Sequence, residues 1–437
     1  MKFSLISRWL LAVMIVIGLI GWAVTGLSLY ARLVYLGLFL LIATAIWAIL
    51  SLRGIQLTRK TRSLRASMGE VFEENIEVRN NAWPGAAWLV VLNQSSLPKA
   101  AGSRLMTRIG VHQKRFYSAR TLLTKRGAFL LGPTIISSGD PFGMFSINKR
   151  IPASETLVVL PKVYPIKTFP PPPGLLAGGK NIRQRSFDVT PHAAGVREYV
   201  QGDPVKRIHW PSTARRNRFM VKEFEQDPQA NIWLFLDAER EIQASLPDEE
   251  TPSIQVDGWW LRRPTVALPR NTFEYAISAA ASLASFFLAD RRAVGLVCAA
   301  GKFTVVSAER GERQISKIME TLAFLQPEGN IPLNGVVDIQ AKLLPPGSGV
   351  ILITSSTSPD LVLAVENLQR RNLRPVVALI KPETFGGSRN SELVAAGLAR
   401  NNMAVCQIGL GDDLGIQLAL PGVYFQQHYI GTPKFNP

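Results

Sequence analysis

The chain is poor in the residues that several common kinds of protein need. It has two cysteines, Cys298 and Cys406, too few for a disulfide scaffold. Its four histidines, His112, His192, His209 and His428, are scattered and nowhere meet cysteine at the spacing of a zinc site. It has no Gly-x-x-x-x-Gly-Lys-Ser/Thr segment, which argues against a P-loop ATPase, and Gly409-Leu410-Gly411-Asp412 is too weak a glycine pair to mark a nucleotide site. Charged residues make up 19% of the 437 and hydrophobic residues 47%, the reverse of a disordered composition. Acid is the scarcest charge. The 32 Asp and Glu stand against 49 Lys and Arg, a net charge of +17, and no acidic residue occurs between Arg79 and Arg126.

Long apolar runs, in contrast, are plentiful at the N-terminus. Trp9–Leu29 and Leu33–Leu52 are each almost wholly apolar or small. About 20 residues at 1.5 Å rise reach ~30 Å, the thickness of a bilayer core. A signal peptide has a shorter apolar core, and a soluble core helix of this length carries a polar face. Tyr30-Ala31-Arg32 leaves room only for a tight turn, so residues 1–53 are expected to form a transmembrane α-hairpin, meeting the bilayer through residues 9–52. Lys2 and Arg8 precede the first run, and Arg53, Arg59, Lys60, Arg62 and Arg65 follow the second, while the turn carries Arg32 alone. The positive-inside rule then places both termini and the soluble domains in the cytoplasm, where the two thiols need no partner. The juxtamembrane cations also suit an anionic leaflet, at roughly 1 kcal/mol each.

Residues 54–168 alternate loosely between polar and apolar, with β-prone stretches such as Phe72–Val78, Ala87–Leu92 and Leu157–Leu160 parted by Asn, Gly, Pro and Ser. This is the pattern of a small β-sandwich. Its acid-free stretch is either a solvated basic face or a surface for the membrane or another polyanion. Pro170–Pro173 followed by Gly174–Gly179 marks a linker over 169–180. The remainder, 181–437, opens on Val196-Arg197-Glu198-Tyr199-Val200-Gln201-Gly202-Asp203-Pro204, continues through Lys206-Arg207-Ile208-His209-Trp210 to Ala214-Arg215-Arg216, and reaches an alternating strand at 219–225.

That stretch, with Asp140-Pro141-Phe142-Gly143-Met144-Phe145 before it, resembles the bacterial domain-of-unknown-function family 58. Members show an Asp-Pro-Phe-Gly-hydrophobic-Phe turn, then Arg-x-Tyr-x-x-Gly-Asp, Ile-His-Trp and Ala-Arg. The resemblance implies a membrane-tethered protein of the bacterial cytoplasmic (inner) membrane with a cytoplasmic von Willebrand factor A-like domain. Such proteins are often encoded beside a MoxR-type AAA+ ATPase and sometimes beside transglutaminase-like membrane proteins. Two roles stay open for Arg197, Tyr199, Asp203, Arg207, His209, Trp210 and Arg215. They form either a binding surface for a carboxylate or phosphate or a buried Arg–Asp network with Trp210 packed against it.

From Ile232 strands alternate with helices of 12–18 residues, which predicts a doubly wound α/β sheet. A von Willebrand A domain holds a divalent metal with Asp-x-Ser-x-Ser after its first strand, plus a Thr and an Asp from later loops. Here the first loop reads Asp237-Ala238-Glu239-Arg240-Glu241, with glutamates in place of both serines, and the later loop reads Thr354-Ser355-Ser356 without an acid. The metal site is therefore expected to be degenerate, and no cofactor is called for. Asp237 and the Trp259-Trp260 pair, in a long Pro-rich acidic segment, are partner-binding candidates.

The expected protein is a non-enzymatic, membrane-anchored scaffold or adaptor whose A-like domain recruits a protein partner, by resemblance a MoxR-type AAA+ ATPase, in envelope-related assembly. The alternative is a basic binder of polyanions, anionic lipid or nucleic acid. No nucleic-acid fold signature accompanies the charge, and aromatics are not interleaved as stacking platforms, which argues against nucleic acid. A hydrolase built on His209 and Asp203 is weaker still, because no Ser or Cys nucleophile is indicated.

Overall fold

The computed structural model describes residues 3–419 apart from 82, 154, 170–192, 201–207, 225–230, 248–265, 346, 372, 374 and 402. They fall into two compact units, 1–163 with 245–281 and 317–326, and 164–244 with 282–316 and 327–437.

The first unit begins with two helices, α1 (Phe3–Thr25) and α2 (Ser28–Arg53). Mean hydropathy is 2.0 over Ser7–Thr25 and 2.5 over Ser28–Arg53, and both are long enough to cross a membrane. They pack through small residues. A Cβ on Gly21 would meet the Tyr30 ring, and one on Gly37 would meet Ile15, the close approach by which apolar helices associate. The turn between them is Gly26-Leu27 rather than Tyr30-Ala31-Arg32. Gly26 adopts φ +62°, which only glycine takes readily, while Tyr30 and Arg32 continue the second helix.

Gly54 alone separates α2 from a sheet-rich region of β1 (Ile55–Thr61), β2 (Arg65–Ser67), β3 (Val71–Asn80), β4 (Ala86–Asn93), β5 (Arg104–Ile109), β6 (Lys114–Leu122), β7 (Gly127–Leu131), β8 (Thr134–Gly139), β9 (Ser146–Ile151) and β10 (Glu155–Leu160). They make sheets ordered β1-β3-β6, β5-β4-β8-β9 and β2-β10-β7. The first two close over one core, Ile55, Ile76, Val78 and Tyr117 from one and Leu89, Val91, Ile109 and Ile136 from the other. Burial alternates along β3, as in a strand with one face in a core.

The register sets which loops meet the hairpin. Ile55 lies opposite Asn80, Arg79 opposite Lys114, Ala86 opposite Ile109 and Gly139 opposite Ser146. The connections 81–85, 110–113 and 140–145 therefore all leave the sheets at the end where α2 enters. In the last of them the buried Asp140 carboxylate accepts from Phe142 N at 2.9 Å and Phe145 N at 2.6 Å. Arg8 Nε donates to Met144 O at 2.5 Å and its guanidinium lies 5.5 Å from the Phe145 ring centroid. The Asp-Pro-Phe-Gly turn is thus the seat of α1.

The chain continues through β11 (Ala193–Glu198), α3 (Trp210–Arg216), β12 (Met220–Phe224), β13 (Ile232–Leu236), α4 (Thr272–Ala289), β14 (Val294–Ala300), β15 (Lys302–Glu309), α5 (Glu312–Phe324), α6 (Leu333–Gln340), β16 (Gly349–Thr354), α7 (Asp360–Arg370), β17 (Pro375–Ile380), α8 (Ser391–Arg400), β18 (Ala404–Ile408) and α9 (Leu414–Gln417). The second unit holds a mixed six-stranded sheet, β15-β14-β13-β16-β17-β18, parallel except for the β14–β15 hairpin. β13, β16 and β17 are buried at every residue, the mark of strands covered on both faces. α7 buries Leu361, Ala364, Val365 and Leu368, one helical stripe. α4 also meets the length and hydropathy of a membrane span, but 72% of it is buried inside the fold.

Within the first unit one side chain joins the sheet-rich region to α4 and α5. Arg126, in the β6–β7 connection, is 7% exposed. Its Nε donates to Leu322 O at 3.0 Å and its Nη2 to Leu325 O at 2.5 Å, at the carboxyl end of α5. Its Nη1 pairs with Glu274 in the first turn of α4, and the Phe273 ring lies 5.4 Å away. A buried guanidinium is tolerable only when its fork is filled this way. Arg126→Met is expected to lower stability by about 3–5 kcal/mol, the cost of breaking a buried pair, and Arg126→Lys to restore little, since an ammonium lacks the planar fork. Urea unfolding of the detergent-solubilised protein measures both, and an unchanged midpoint would deny the residue that role.

Candidate functional site

The strand order of the second unit reverses direction between β13 and β16, which makes their carboxyl ends the switch point where open α/β sheets bind ligands. Asp237 follows β13, and Thr354 ends β16. Asp237 is 3% exposed. Thr354 Oγ1 donates to its Oδ2 at 2.6 Å and Glu239 N to its Oδ1 at 3.2 Å. Ser356 N in turn donates to Thr354 Oγ1 at 2.8 Å, and Ser355 Oγ to Ile242 O at 3.3 Å. Burial pushes the Asp237 carboxyl from its ordinary 3.8 up to about 7, against the opposing pull of the Thr354 hydroxyl and the Glu239 N–H; the Glu239 charge adds to the rise. Glu239 is itself raised, first by burial and then by the charges of Glu241 and Asp360.

A hard divalent cation requires several charged or carbonyl oxygens in near-octahedral array. These residues do not fit one. Both oxygens of Asp237 already accept protein donors, burial favours its neutral form, and Thr354-Ser355-Ser356 offers no second acid. Among the described residues no three His, Cys, Asp or Glu are grouped to hold an ion. The two cysteines are buried, and burial pushes both thiols up to about 12. β14 and β18 are four strands apart in the sheet, so the thiols are ~19 Å from each other, beyond disulfide reach.

The Asp237 geometry has a consequence for pH. An unfolded aspartate releases its proton near 3.8, whereas folded Asp237 keeps it to about 7. Between those values the native chain binds the extra proton, so its contribution is complete below 3.8 and is lost as pH rises towards 7. Asp237→Asn is expected to flatten that decline and to raise the unfolding midpoint at pH 8. Midpoints measured from pH 5 to 8 on both proteins check it, and parallel curves would refute it.

The second candidate is the segment carrying the sequence signature. β11 and β12 pair antiparallel, with Arg197 opposite Val221 and Glu198 opposite Met220. Tyr199 N donates to Phe219 O at 2.8 Å, and the two rings meet edge-on at 6.3 Å. His209 precedes α3; its N donates to Met220 O at 2.7 Å, and its Nδ1 lies 2.7 Å from Ser212 Oγ, a contact within one helical turn. Thr213 Oγ1 accepts from Met220 N at 3.0 Å, tying helix to strand.

Trp210 is 62% exposed, Phe219 57% and Val200 62%. Arg215 and Arg216 in the last turn of α3 are exposed, and Arg218 pairs with Glu198 in solvent at 2.9 Å. Trp210 is not packed into a buried network. The side chain of Arg197, and all of Asp203, Arg207, Trp259 and Trp260, lie outside the described residues. Sequence reasoning passed over Phe219 and Val200 as surface residues. Their signal was apolar character just outside β12 and β11.

Residues 195–245 match a family model described as protein of unknown function DUF58. Over 301 residues the chain is 21% identical to an uncharacterized protein, YeaD, of Bacillus subtilis (strain 168), an alignment covering 66% of this chain and 66% of that protein, just under two thirds of its length. Among solved structures it is similar, at 11% identity and TM-score 0.19, to the CARDB domain of the PF1109 protein from Pyrococcus furiosus in complex with di-metal ions, over 24% of this chain and 91% of that one. At 8% identity and TM-score 0.18 it is similar to a GH20 exo β-N-acetylglucosaminidase from Vibrio harveyi in complex with N-acetylglucosamine, over 81% of each chain. Scores this low carry nothing about fold or activity.

Proposed function

We propose that this chain is a membrane-anchored, non-enzymatic adaptor of the bacterial cytoplasmic membrane. α1 and α2 cross the bilayer as a hairpin, both termini and the soluble regions lie in the cytoplasm, and the α/β region, a von Willebrand factor A-like domain, recruits a protein partner. A doubly wound sheet with Asp237 at the end of its first strand supports the A-like reading. The partner implied by the family resemblance is a MoxR-type AAA+ ATPase acting in envelope-related assembly.

The observation that carries this reading is the exposed aromatic and cationic surface of the matched segment, Tyr199, Trp210 and Phe219 beside Arg215 and Arg216. Solvent-exposed Trp with neighbouring Arg is the composition of an interface hot spot. Affinity capture from detergent-solubilised membranes tests it. The wild type is expected to enrich a MoxR-type AAA+ ATPase, and Trp210→Ala with Phe219→Ala to weaken purified binding roughly 30-fold, a loss of about 2 kcal/mol. Asp237→Ala is expected to bind as well as the wild type. Failure to enrich any such ATPase would sink the adaptor reading. For topology, a reporter active only outside the cytoplasm is expected to light when inserted at Gly26-Leu27 and to stay dark at the C-terminus; the opposite pattern would invert the orientation.

A further inference from the structure

The end of the sheet-rich region beside α2 carries an open crevice of about 300 Å³, bounded by Phe39, Ile46, Trp47 and Leu50 of α2 and by Trp83 and Pro84 of the β3–β4 connection. Its walls are almost entirely apolar. The Trp83 ring stands 6.4 Å from that of Trp47, tilted by 56°, yet Trp83 is 71% exposed. An apolar tip of this size beside an apolar helix belongs at a membrane interface, where tryptophan is enriched. Trp47 adds a polar signal. Its Nε1 is buried and has no hydrogen-bond partner among the described residues, whereas a buried indole N–H ordinarily finds an acceptor.

Three cations lie at the same end of α2, β3 and β6. Leu50 and Arg53 are three residues apart on one face of α2, so the apolar stripe ends in a guanidinium. Arg79 and Lys114 lie directly opposite each other across β3 and β6, at the end where Asn81 N donates to Gly54 O. Like charges so placed repel. Both are exposed, and neither enters an ion pair among the described residues. The next outward acid on β3, Glu77, stands opposite Thr58 and Phe116. From Trp47 to Arg53 is six residues, roughly 9 Å along a helix.

We propose that this crevice is a binding site for one anionic phospholipid of the cytoplasmic leaflet. An acyl chain lies between α2 and Trp83-Pro84, an ester or phosphate oxygen accepts from Trp47 Nε1–H, and the phosphate faces Arg53, Arg79 and Lys114. The site rests on the reading of α1 and α2 as a membrane hairpin. It makes the sheet-rich region a lipid-contacting element.

Native mass spectrometry of the full-length protein in detergent, offered phosphatidylglycerol or phosphatidylcholine at equal concentration, tests the site. One phosphatidylglycerol per chain is expected to be retained in preference to phosphatidylcholine. Arg79→Gln with Lys114→Gln is expected to weaken retention about 25-fold, as the loss of two charges beside an anionic headgroup. Trp47→Phe, which keeps a ring and removes the N–H, is expected to weaken it about five-fold. Equal retention of the two lipids, or retention unchanged in both variants, overturns the site. A nucleic-acid oligonucleotide that displaces phosphatidylglycerol from this face overturns the choice of ligand. Release of the wild type from membranes by alkaline carbonate would instead overturn the hairpin reading, an outcome separate from any lipid preference.

Discussion

One residue of chain, Gly54, lies between an apolar helix of membrane length and the first strand of the sheet-rich region, and the first unit is built around that shortness. A longer linker would let the sheets swing away from the helices. Here the backbone just past α2 is held locally, with Asn81 N donating to Gly54 O at 2.8 Å and Lys149 Nζ to Ile55 O at 3.2 Å. Ser51 on α2 and Ser138 on β8 lie hydroxyl to hydroxyl at 3.4 Å, and Ser7 Oγ donates to Phe142 O at 3.2 Å. The sheets are consequently laid against the hairpin, and three of their loops share its end.

The chain buries ionisable groups in two ways, with opposite results. Arg126 is buried with every arm of the guanidinium on an acceptor, two of them carbonyls at the end of α5. Asp237 has two donors, neither charged, and burial outweighs them, so it leans towards the neutral form. Glu74 lies between these cases. Burial raises its pKa while Arg59, 3.3 Å away, lowers it, and burial prevails. A filled fork binds elements together; a carboxyl held by a hydroxyl and a backbone N–H closes the top of a sheet.

Much of the architecture was legible because its signals are strong and local. Ile232–Leu236 and Pro375–Ile380 are apolar throughout, the signal of strands covered on both faces, and both are strands of the central sheet. α4 begins at Thr272 with Glu274 in its first turn, and Asn271 Oδ1 accepts from Phe273 N at 2.8 Å ahead of it. Arg32 interrupts the apolar run and so marks a turn in the sequence, whereas the helix break is set by the φ of Gly26. α6 went unread although Leu333, Val336, Val337 and Gln340 form a stripe, because Asn334 and Gly335 are poor helix formers and the helix has only two turns. β1, with Arg59 and Lys60 inside it, escaped for the same kind of reason. Its local composition argues for a solvated tail, and only pairing with β3 makes it a strand. Of the candidate sites, the sequence located the residues but not their exposure, since exposure depends on what the fold leaves uncovered.

Exposure also separates the two candidates in the matched segment. Asp237 has the place in the fold where α/β sheets take ligands, yet its oxygens are occupied and it lies under Thr354 and the Glu239 backbone. Trp210 and Phe219 have no such privileged place, yet they leave large rings in water, at a cost proportional to the apolar area. Rings left in solvent beside Arg215 and Arg216 would recover that cost if another surface covered them. In an adaptor, recognition would then fall to this surface, and the Asp237–Thr354 bond would serve to hold the ends of β13 and β16 together.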